Sequence, residues 1–187
     1  MHPTLTQVLA TLEQSRVRLR AAIDTVPEEL RDQPPGSDRW SVAAVLEHLA
    51  LVDERVTRTL AGKIDEAREA HGGPEEDSPA LLPPHVEAML ADRTSKRQAP
   101  DGAHPTGLTY AAACARFDAS RAALHALLTG ADGLALGRLI HEHPRFGALN
   151  PYQWAGFIAA HESRHAQQIA EIATQLRASD TFAARPQ

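Results

Sequence analysis

The sequence contains a single cysteine, Cys114, so it cannot form an intramolecular disulfide or a zinc site built from several thiolates. One unpaired thiol fits a reducing compartment, and we expect a cytoplasmic protein. The N-terminal stretch mixes charged and polar side chains where a signal peptide requires an unbroken apolar segment. No stretch approaches the roughly 18 apolar residues of a membrane span. The sequence therefore predicts no membrane partner.

Aromatic residues and net positive charge are scarce too. Phe, Trp and Tyr make up 4% of the residues, whereas alanine and leucine supply much of the 43% that is hydrophobic. Those two residue types favour helices over sheets. With 24 acidic and 19 basic residues the net charge is -5, so the surface is not suited to neutralising nucleic-acid phosphates. We expect a mostly α-helical protein that does not bind nucleic acid.

Apolar residues recur at intervals of three and four in four separate stretches, which predicts four amphipathic helices. These stretches cover about 4–25, 41–60, 109–128 and 150–176. Ser41 and Thr109 are the expected N-caps of the second and third helices. Residues 150–153 read Asn-Pro-Tyr-Gln, a capping box with proline at the first helical position, so the fourth helix is expected to begin there. The predicted fold is an all-α four-helix bundle.

The stretch from 62 to 108 is rich in glycine, proline and charge and does not continue the helical periodicity. Its length exceeds that of an ordinary connection, so we interpret it as a long crossover insertion between helices two and three. A short helix is expected near 85–92, after helix two frays towards residue 70. The tail after Leu176 is also expected to fray. Since no internal repeat is present, residues 1–187 are predicted to form a single domain.

The sequence is unusually rich in histidine, with ten residues, and two of them share a helical face. His161 and His165 are four residues apart in the apolar stripe of the fourth helix, which brings their Cβ atoms to roughly 5–6 Å from each other. A lone buried histidine is usually a packed core residue, but two leave several ring nitrogens without partners. A divalent metal ion such as zinc satisfies both rings. The spacing therefore predicts a metal site.

A third ligand should lie on another helix and face inward, and His48 fits these requirements best. It lies beside the apolar stripe of the second helix, whereas His125 in the third helix is expected to be peripheral. The remaining candidates lie in loops, where exposure is the default: His71, His85, His104, His141 and His143. Of these, His141 and His143 are expected to cap or orient the fourth helix. The predicted metal ligands are His48, His161 and His165.

Residues 161–165 also spell the H-E-x-x-H pattern of zinc metalloproteases, in which Glu162 is the general base. That class requires a further ligand downstream, but the chain after His165 contains no histidine and a single glutamate, Glu171. We therefore disfavour a protease and expect Glu162 to be a partly exposed helix residue or a group that orients His165. Cys114 is considered as a fourth ligand, although a single helical cysteine is usually a small packing residue.

Three stretches carry a resemblance to a known family. They are Trp40-Ser41 with Leu46-Glu47-His48-Leu49, then His143-Pro144-Arg145-Phe146-Gly147, then Trp154 with His161-Glu162-Ser163-Arg164-His165-Ala166-Gln167-Gln168-Ile169. In order and spacing they resemble the DinB/YfiT-like superfamily. The resemblance implies a four-helix bundle in which His48, His161 and His165 bind a divalent metal ion, zinc or nickel, at one end of the bundle. Some members of that family are transferases or isomerases that use low-molecular-weight thiols such as bacillithiol or mycothiol, and others are described as metal-dependent hydrolases.

The leading hypothesis is a DinB-like metal-dependent enzyme with a small-molecule substrate, either a thiol-dependent S-transferase or a hydrolase. For thiol transfer, Arg145 or Arg164 is considered as a partner for the carboxylates of the thiol, although such arginines are ordinarily exposed. For hydrolysis, Glu47 or Glu162 is considered as the base, although each points about 100° away from the neighbouring ligand. The catalytic residues themselves are not assigned.

The alternative is a bundle that binds a metal ion or small molecule without turnover, or in which the ion only joins helices two and four. It is motivated by the lack of an unambiguous acid, base or nucleophile beside the three histidines. Exposed apolar helix faces are compatible with a homodimer.

Overall fold

Five α-helices and one β-hairpin make up residues 1–69, 82–94 and 98–183, the parts of the chain that the structure, a computed structural model, describes. The helices are α1 (Pro3–Ile23), α2 (Val42–Glu69), α3 (Pro84–Ala91), α4 (Tyr110–Gly130) and α5 (Pro151–Ala183), and the strands are β1 (His141–His143) and β2 (Gly147–Leu149). Single 3-10 turns lie at Glu28–Leu30 and Leu136–Arg138. Helix α1 packs chiefly on α5, and α2 chiefly on α4. The predicted four-helix bundle is confirmed, with α3 as a short extra helix inside the crossover.

The predicted N-caps are formed. The Thr109 side chain accepts a hydrogen bond from the Ala112 backbone N–H, and Ser41 Oγ accepts one from the Ala44 N–H at 3.1 Å. At the start of α5 the bonds are reciprocal. Oδ1 of Asn150 accepts from the Gln153 N–H at 2.9 Å, while Oε1 of Gln153 accepts from the Asn150 N–H at 3.0 Å. These bonds satisfy backbone donors that the first turn of a helix leaves without partners.

Helices α2 and α5 both extend beyond their predicted apolar stripes, α2 as expected. Helix α2 continues past Leu60 to Glu69 because Ile64, one turn later, is again fully buried. The short helix expected near 85–92 is α3. The fraying expected after Leu176 is wrong, since α5 continues to Ala183. Residues 177–183 contain no glycine or proline to end it.

A two-stranded antiparallel hairpin precedes α5, where the sequence predicts a loop that contains His141 and His143. His141 pairs with Leu149 and His143 with Gly147, and Gly147 has a positive φ of 76° that suits a glycine in a tight turn. His141 and His143 therefore lie in a strand, and their expected place in a loop is wrong. Three-residue strands are too short to show an alternating pattern in sequence. The hairpin is tied to α5 because Trp154 Nε1 donates to the His141 carbonyl oxygen at 3.3 Å.

The core consists of two apolar clusters placed along the bundle. One includes Val56 and Ile158, and the other includes Leu49 and Ile169. His161 and His165 occupy the turns of α5 between Ile158 and Ile169, so they lie where the two clusters meet. None of the described helices is long and apolar enough to cross a membrane.

Candidate metal centre

Three imidazole rings meet between α2 and α5. His48 lies near the start of α2, and His161 and His165 lie one turn apart on α5. The Nε2 atom of His161 is 3.3 Å from Nε2 of His48 and 3.1 Å from Nε2 of His165. One nitrogen from each ring falls within a group whose members all lie within 4.8 Å of one another. The structure thus brings together the three histidines that the sequence predicts as ligands.

Hydrogen bonds at the opposite ring nitrogen orient two of the rings. His48 Nδ1 is 2.7 Å from the carbonyl oxygen of Ala103, and His165 Nδ1 is 2.8 Å from Oε1 of Gln168. Both partner atoms accept, so each Nδ1 carries the proton and each Nε2 keeps its lone pair. Metal-binding histidines are typically held in this way by a carbonyl or carboxylate behind the ring.

His161 completes the group and leaves one atom unsatisfied. Its Nδ1 is buried and has no hydrogen-bond partner among the described residues, and its ring lies nearly parallel to that of Phe157, with centroids 5.6 Å apart. With two neighbouring Nε2 atoms already acting as acceptors, three lone pairs are crowded together unless a proton or cation lies among them. The donor set fits a divalent ion such as zinc or nickel, for which imidazole nitrogen is a suitable ligand.

Burial lowers the pKa of all three rings. It is the largest cause for each, and neighbouring histidines lower the pKa of His161 and His165 further. The pKa of His165 falls to about 3, and that of His161 lies well below its usual range. The rings are therefore neutral at pH 7. A neutral imidazole binds a cation without first releasing a proton, so these shifts suit metal ligation.

Aromatic rings flank the histidines. The ring centroid of Trp40 lies 4.9 Å from that of His48 and 6.4 Å from that of His165. The ring of Phe157 stacks on that of His161, and its centroid lies 4.9 Å from the centroid of the His143 ring in the hairpin. These rings keep the surroundings of the three Nε2 atoms apolar, which strengthens electrostatic interactions there.

Comparison with known proteins agrees with this geometry. A family model described as the DinB superfamily matches residues 11–169, a range that includes all three histidines. The chain belongs to the DinB superfamily. Similar proteins include the uncharacterized protein YuaE of Bacillus subtilis (strain 168), which is 26% identical over 168 residues that cover 88% of this chain and 96% of YuaE. The crystal structure of TT2238, a four-helix bundle protein, matches 89% of this chain and 98% of its own with a TM-score of 0.56 and 21% identity, so the two share a fold.

Glu47 precedes His48 on α2 of this DinB protein, and both of its carboxylate oxygens are hydrogen-bonded to another segment of the chain. Its Oε1 accepts from the Thr106 N–H and hydroxyl, at 2.9 and 2.6 Å, and its Oε2 accepts from the N–H groups of Gly107 and Leu108, both at 3.1 Å. Burial raises the pKa of Glu47, but these hydrogen bonds outweigh it and hold the pKa below its usual value. Glu47 therefore anchors the segment that also supplies the Ala103 carbonyl, a role that sequence reasoning missed.

Glu162 of this DinB protein is completely buried, so the expectation of a partly exposed residue is wrong. Its Oε2 accepts from the Arg121 guanidinium at 2.9 Å and from the Ser15 hydroxyl. Burial raises the pKa of Glu162, and Arg121 opposes that rise. The partner of His165 is Gln168, not Glu162. The residue was misjudged because its partners lie on α1 and α4, and sequence spacing does not show them.

The two arginines considered as partners for a thiol differ in their surroundings. Arg145 is exposed in the hairpin, and its backbone N–H donates to Nδ1 of His143 at 3.1 Å. Arg164 is half-buried, and its guanidinium donates to the carbonyl oxygens of Leu90, at 3.0 Å, and Asp92. Arg164 therefore holds the end of α3 against α5.

Cys114 lies outside the metal centre. In the described ranges the group that can hold an ion consists of the three histidines, while half-buried Cys114 packs against the apolar cluster that contains Leu49. Burial raises the pKa of the Cys114 thiol, so it has little thiolate character. The exposed histidines include His85, His104 and His125, as expected, and His71 lies outside the described residues.

Proposed function

We propose that His48, His161 and His165 bind one divalent metal ion, zinc or nickel, and that this centre is the functional site of the protein. The observation that carries the proposal is the close approach of three Nε2 atoms, with the Nδ1 atoms of His48 and His165 already hydrogen-bonded. Neutral rings that gather one nitrogen each, two of them held from behind by hydrogen bonds, are prepared for a cation.

The donor set leaves room for a substrate. The described residues that can share an ion are three histidines, without a carboxylate or thiol. Zinc is usually four-coordinate, and three protein ligands with one open position are typical of catalytic rather than structural sites. An ion held there lowers the pKa of a bound water or thiol and so supplies a nucleophile near neutral pH.

Thiol transfer is the reaction that the surroundings favour. Of the two carboxylates beside the proposed ligands in sequence, Glu47 accepts hydrogen bonds at both oxygens, and Glu162 is completely buried and paired with Arg121. Neither is therefore placed to act as a base for water. A thiol ionises far more easily than water, with a pKa of about 8.5 against 15.7, and needs less assistance. The protein is therefore best described as an S-transferase that joins a low-molecular-weight thiol to a small electrophile in the cytoplasm, with metal-dependent hydrolysis less well supported.

The same shortage of free acid and base groups also supports a function without turnover. In that alternative the bundle binds a metal ion or a small molecule, and the ion joins α2 to α5. An enzyme and a non-catalytic bundle differ in whether the protein leaves one coordination position of the ion open. A substrate or solvent molecule exchanges there in an enzyme, whereas a purely structural ion is closed off by protein groups.

Elemental analysis of the untagged protein tests the metal centre. We expect near-stoichiometric zinc or nickel in the parent and marked loss in H48A, H161A and H165A. The control is H125A, which removes an exposed histidine from α4 and should retain the metal. Undiminished metal in all three ligand variants contradicts the proposal.

Mass spectrometry of reaction mixtures separates transfer from simple binding. The metal-loaded parent is incubated with bacillithiol, mycothiol or glutathione and a panel of small electrophiles, and the conjugates are compared with those formed by H161A. Conjugates that require the intact centre support the transferase. Metal binding without turnover of any thiol shifts the assignment to the non-catalytic alternative.

A further inference from the structure

A cluster of polar side chains lies inside the bundle, with one residue from each of the four long helices. Ser15 comes from α1, Asp53 from α2, Arg121 from α4 and Glu162 from α5. We call these four residues the interhelical cluster. The side chains of Asp53, Arg121 and Glu162 are only 1%, 6% and 0% exposed. Charged side chains are rarely buried so completely unless they are paired.

Arg121 is the centre of the interhelical cluster. Its Nη2 donates to Oε2 of Glu162 at 2.9 Å, and its Nε is 3.4 Å from Oδ2 of Asp53. The guanidinium also lies over the ring of Phe117, 5.6 Å from its centroid. The hydroxyl of Ser15 contacts the same Glu162 oxygen. One cation therefore connects carboxylates that belong to two different helices.

The hydrogen bonding of the interhelical cluster is incomplete. Among the described residues, Arg121 Nη1, Asp53 Oδ2 and Glu162 Oε1 are buried without a hydrogen-bond partner. Removing charges from water costs free energy that only well-matched pairing recovers, so a buried ion pair of this kind is weak evidence for stability. A contribution to stability therefore does not account for the interhelical cluster, and its place in the fold is more informative.

Both carboxylates lie close in sequence to a metal ligand. Asp53 follows His48 by five residues on α2, and Glu162 directly follows His161 on α5. Resting on the metal centre proposed above, we propose that Arg121 is a positioning residue that fixes α2 relative to α5 and so holds His48 at the correct distance from the two histidines of α5. Arg121 acts through the helices, since it belongs to α4 and is not one of the three ligands.

A volume-matched replacement of the charged residues tests this role. The triple variant D53L/R121M/E162M removes all three charges together, so no charge is left buried without a partner. Leucine has the heavy-atom skeleton of aspartate, and Ser15 keeps the Leu12 carbonyl oxygen, at 2.9 Å, as an acceptor. We expect the metal-free variant to resist urea at least as well as the parent, while its affinity for Zn²⁺, measured against a chromophoric chelator, falls about tenfold or more.

The control removes an ion pair that joins the same two helices at the surface. Arg116 on α4 donates to Glu54 on α2 at 2.7 and 2.9 Å, and both side chains are partly exposed. The double variant E54M/R116M should bind Zn²⁺ within about twofold of the parent, because surface pairs contribute little. An equal loss of affinity in the control and the triple variant overturns the positioning role.

The remaining outcomes also decide the matter. Zn²⁺ affinity of the triple variant within twofold of the parent overturns the inference, whereas failure of the parent to bind Zn²⁺ overturns the metal centre itself. If the triple variant does not fold, R121K replaces it, since lysine keeps the charge but presents one ammonium instead of a fork. A folded R121K with weakened Zn²⁺ affinity supports the inference, and one with unchanged affinity overturns it.

Discussion

Glu47 and His48 are consecutive residues on α2, and both hold the segment that leads into α4. The Glu47 carboxylate accepts hydrogen bonds from residues 106–108, while His48 Nδ1 donates to the carbonyl oxygen of Ala103 at 2.7 Å. The segment thereby orients a proposed metal ligand and is itself anchored by the residue next to that ligand. Loosening the segment should therefore affect the metal centre.

The variant E47Q tests this link. The amide replaces one acceptor oxygen with an NH₂ group, which faces backbone N–H donors and cannot accept from them. We expect the free energy of unfolding to fall by about 1–3 kcal/mol, the usual result of leaving buried donors unsatisfied. Zinc affinity should fall several-fold because the Ala103 carbonyl is no longer held in place. Urea unfolding and chelator competition measure the two effects.

The matched control for E47Q is E54Q, seven residues later on the same helix. Glu54 pairs with Arg116 near the surface, where a single ion pair contributes about 1 kcal/mol or less. Its zinc affinity should equal that of the parent. If E54Q and E47Q weaken zinc binding equally, the segment before α4 has no special role.

Trp40 provides an optical signal for metal binding. The sequence has two tryptophans, and Trp40 lies 4.9 Å from the His48 ring, whereas Trp154 contacts the hairpin. We expect nickel to quench the fluorescence of the parent through Trp40. W40F should lose most of the nickel-dependent change, and W154F should retain it. A nickel response that survives W40F and disappears in W154F places the ion elsewhere.

The sequence predicts the helices and the ligand set because both depend on local spacing. The stripe of α5 and the capping box at Asn150 are periodic or contiguous features, and both are present. His161 and His165 share a face for the same reason. His48 is identified because few helical stripes contain a histidine at all.

The partners of the polar residues depend on tertiary packing and are not visible in the sequence. Glu162 occupies a position expected to be partly exposed, but Arg121 on α4 and Ser15 on α1 meet it in the interior. Glu47 likewise finds its donors about sixty residues later in the chain. In each case the hydrogen bond forms only when distant helices or loops have packed together. Helical periodicity alone therefore predicts the wrong burial and the wrong partners for these glutamates.

The start of α5 should be sensitive to loss of its capping box. Asn150 is 4% exposed and exchanges two hydrogen bonds with Gln153. N150A should lower the free energy of unfolding by about 1 kcal/mol, whereas N150D keeps the acceptor and should cost only a few tenths of that. Urea unfolding of the metal-free proteins measures the difference. Equal losses in the two variants rule out capping as the cause.

Asp53 makes the stability of the bundle depend on pH. Burial raises its pKa to about 7, with Arg121 opposing the rise and Glu162 adding to it. The unfolded chain has an ordinary aspartate pKa of about 3.9, so between about pH 4 and pH 7 the folded protein binds the proton more tightly than the unfolded chain does. The stability that comes from this proton is therefore present at low pH and is lost as the pH rises through 7.

D53N should remove this dependence, because an amide does not titrate and is nearly the same size. The stability of D53N relative to the parent, measured by urea unfolding of the metal-free proteins, should increase by at least about 1 kcal/mol from pH 5 to pH 8, since a shift of one pKa unit corresponds to about 1.4 kcal/mol. The control D132N should show a flat difference over this range, because the hydrogen bond from the His2 N–H lowers the pKa of Asp132 and its carboxylate stays ionised in both the folded and the unfolded chain. A D53N difference that is flat or falls over this range contradicts a raised pKa for Asp53.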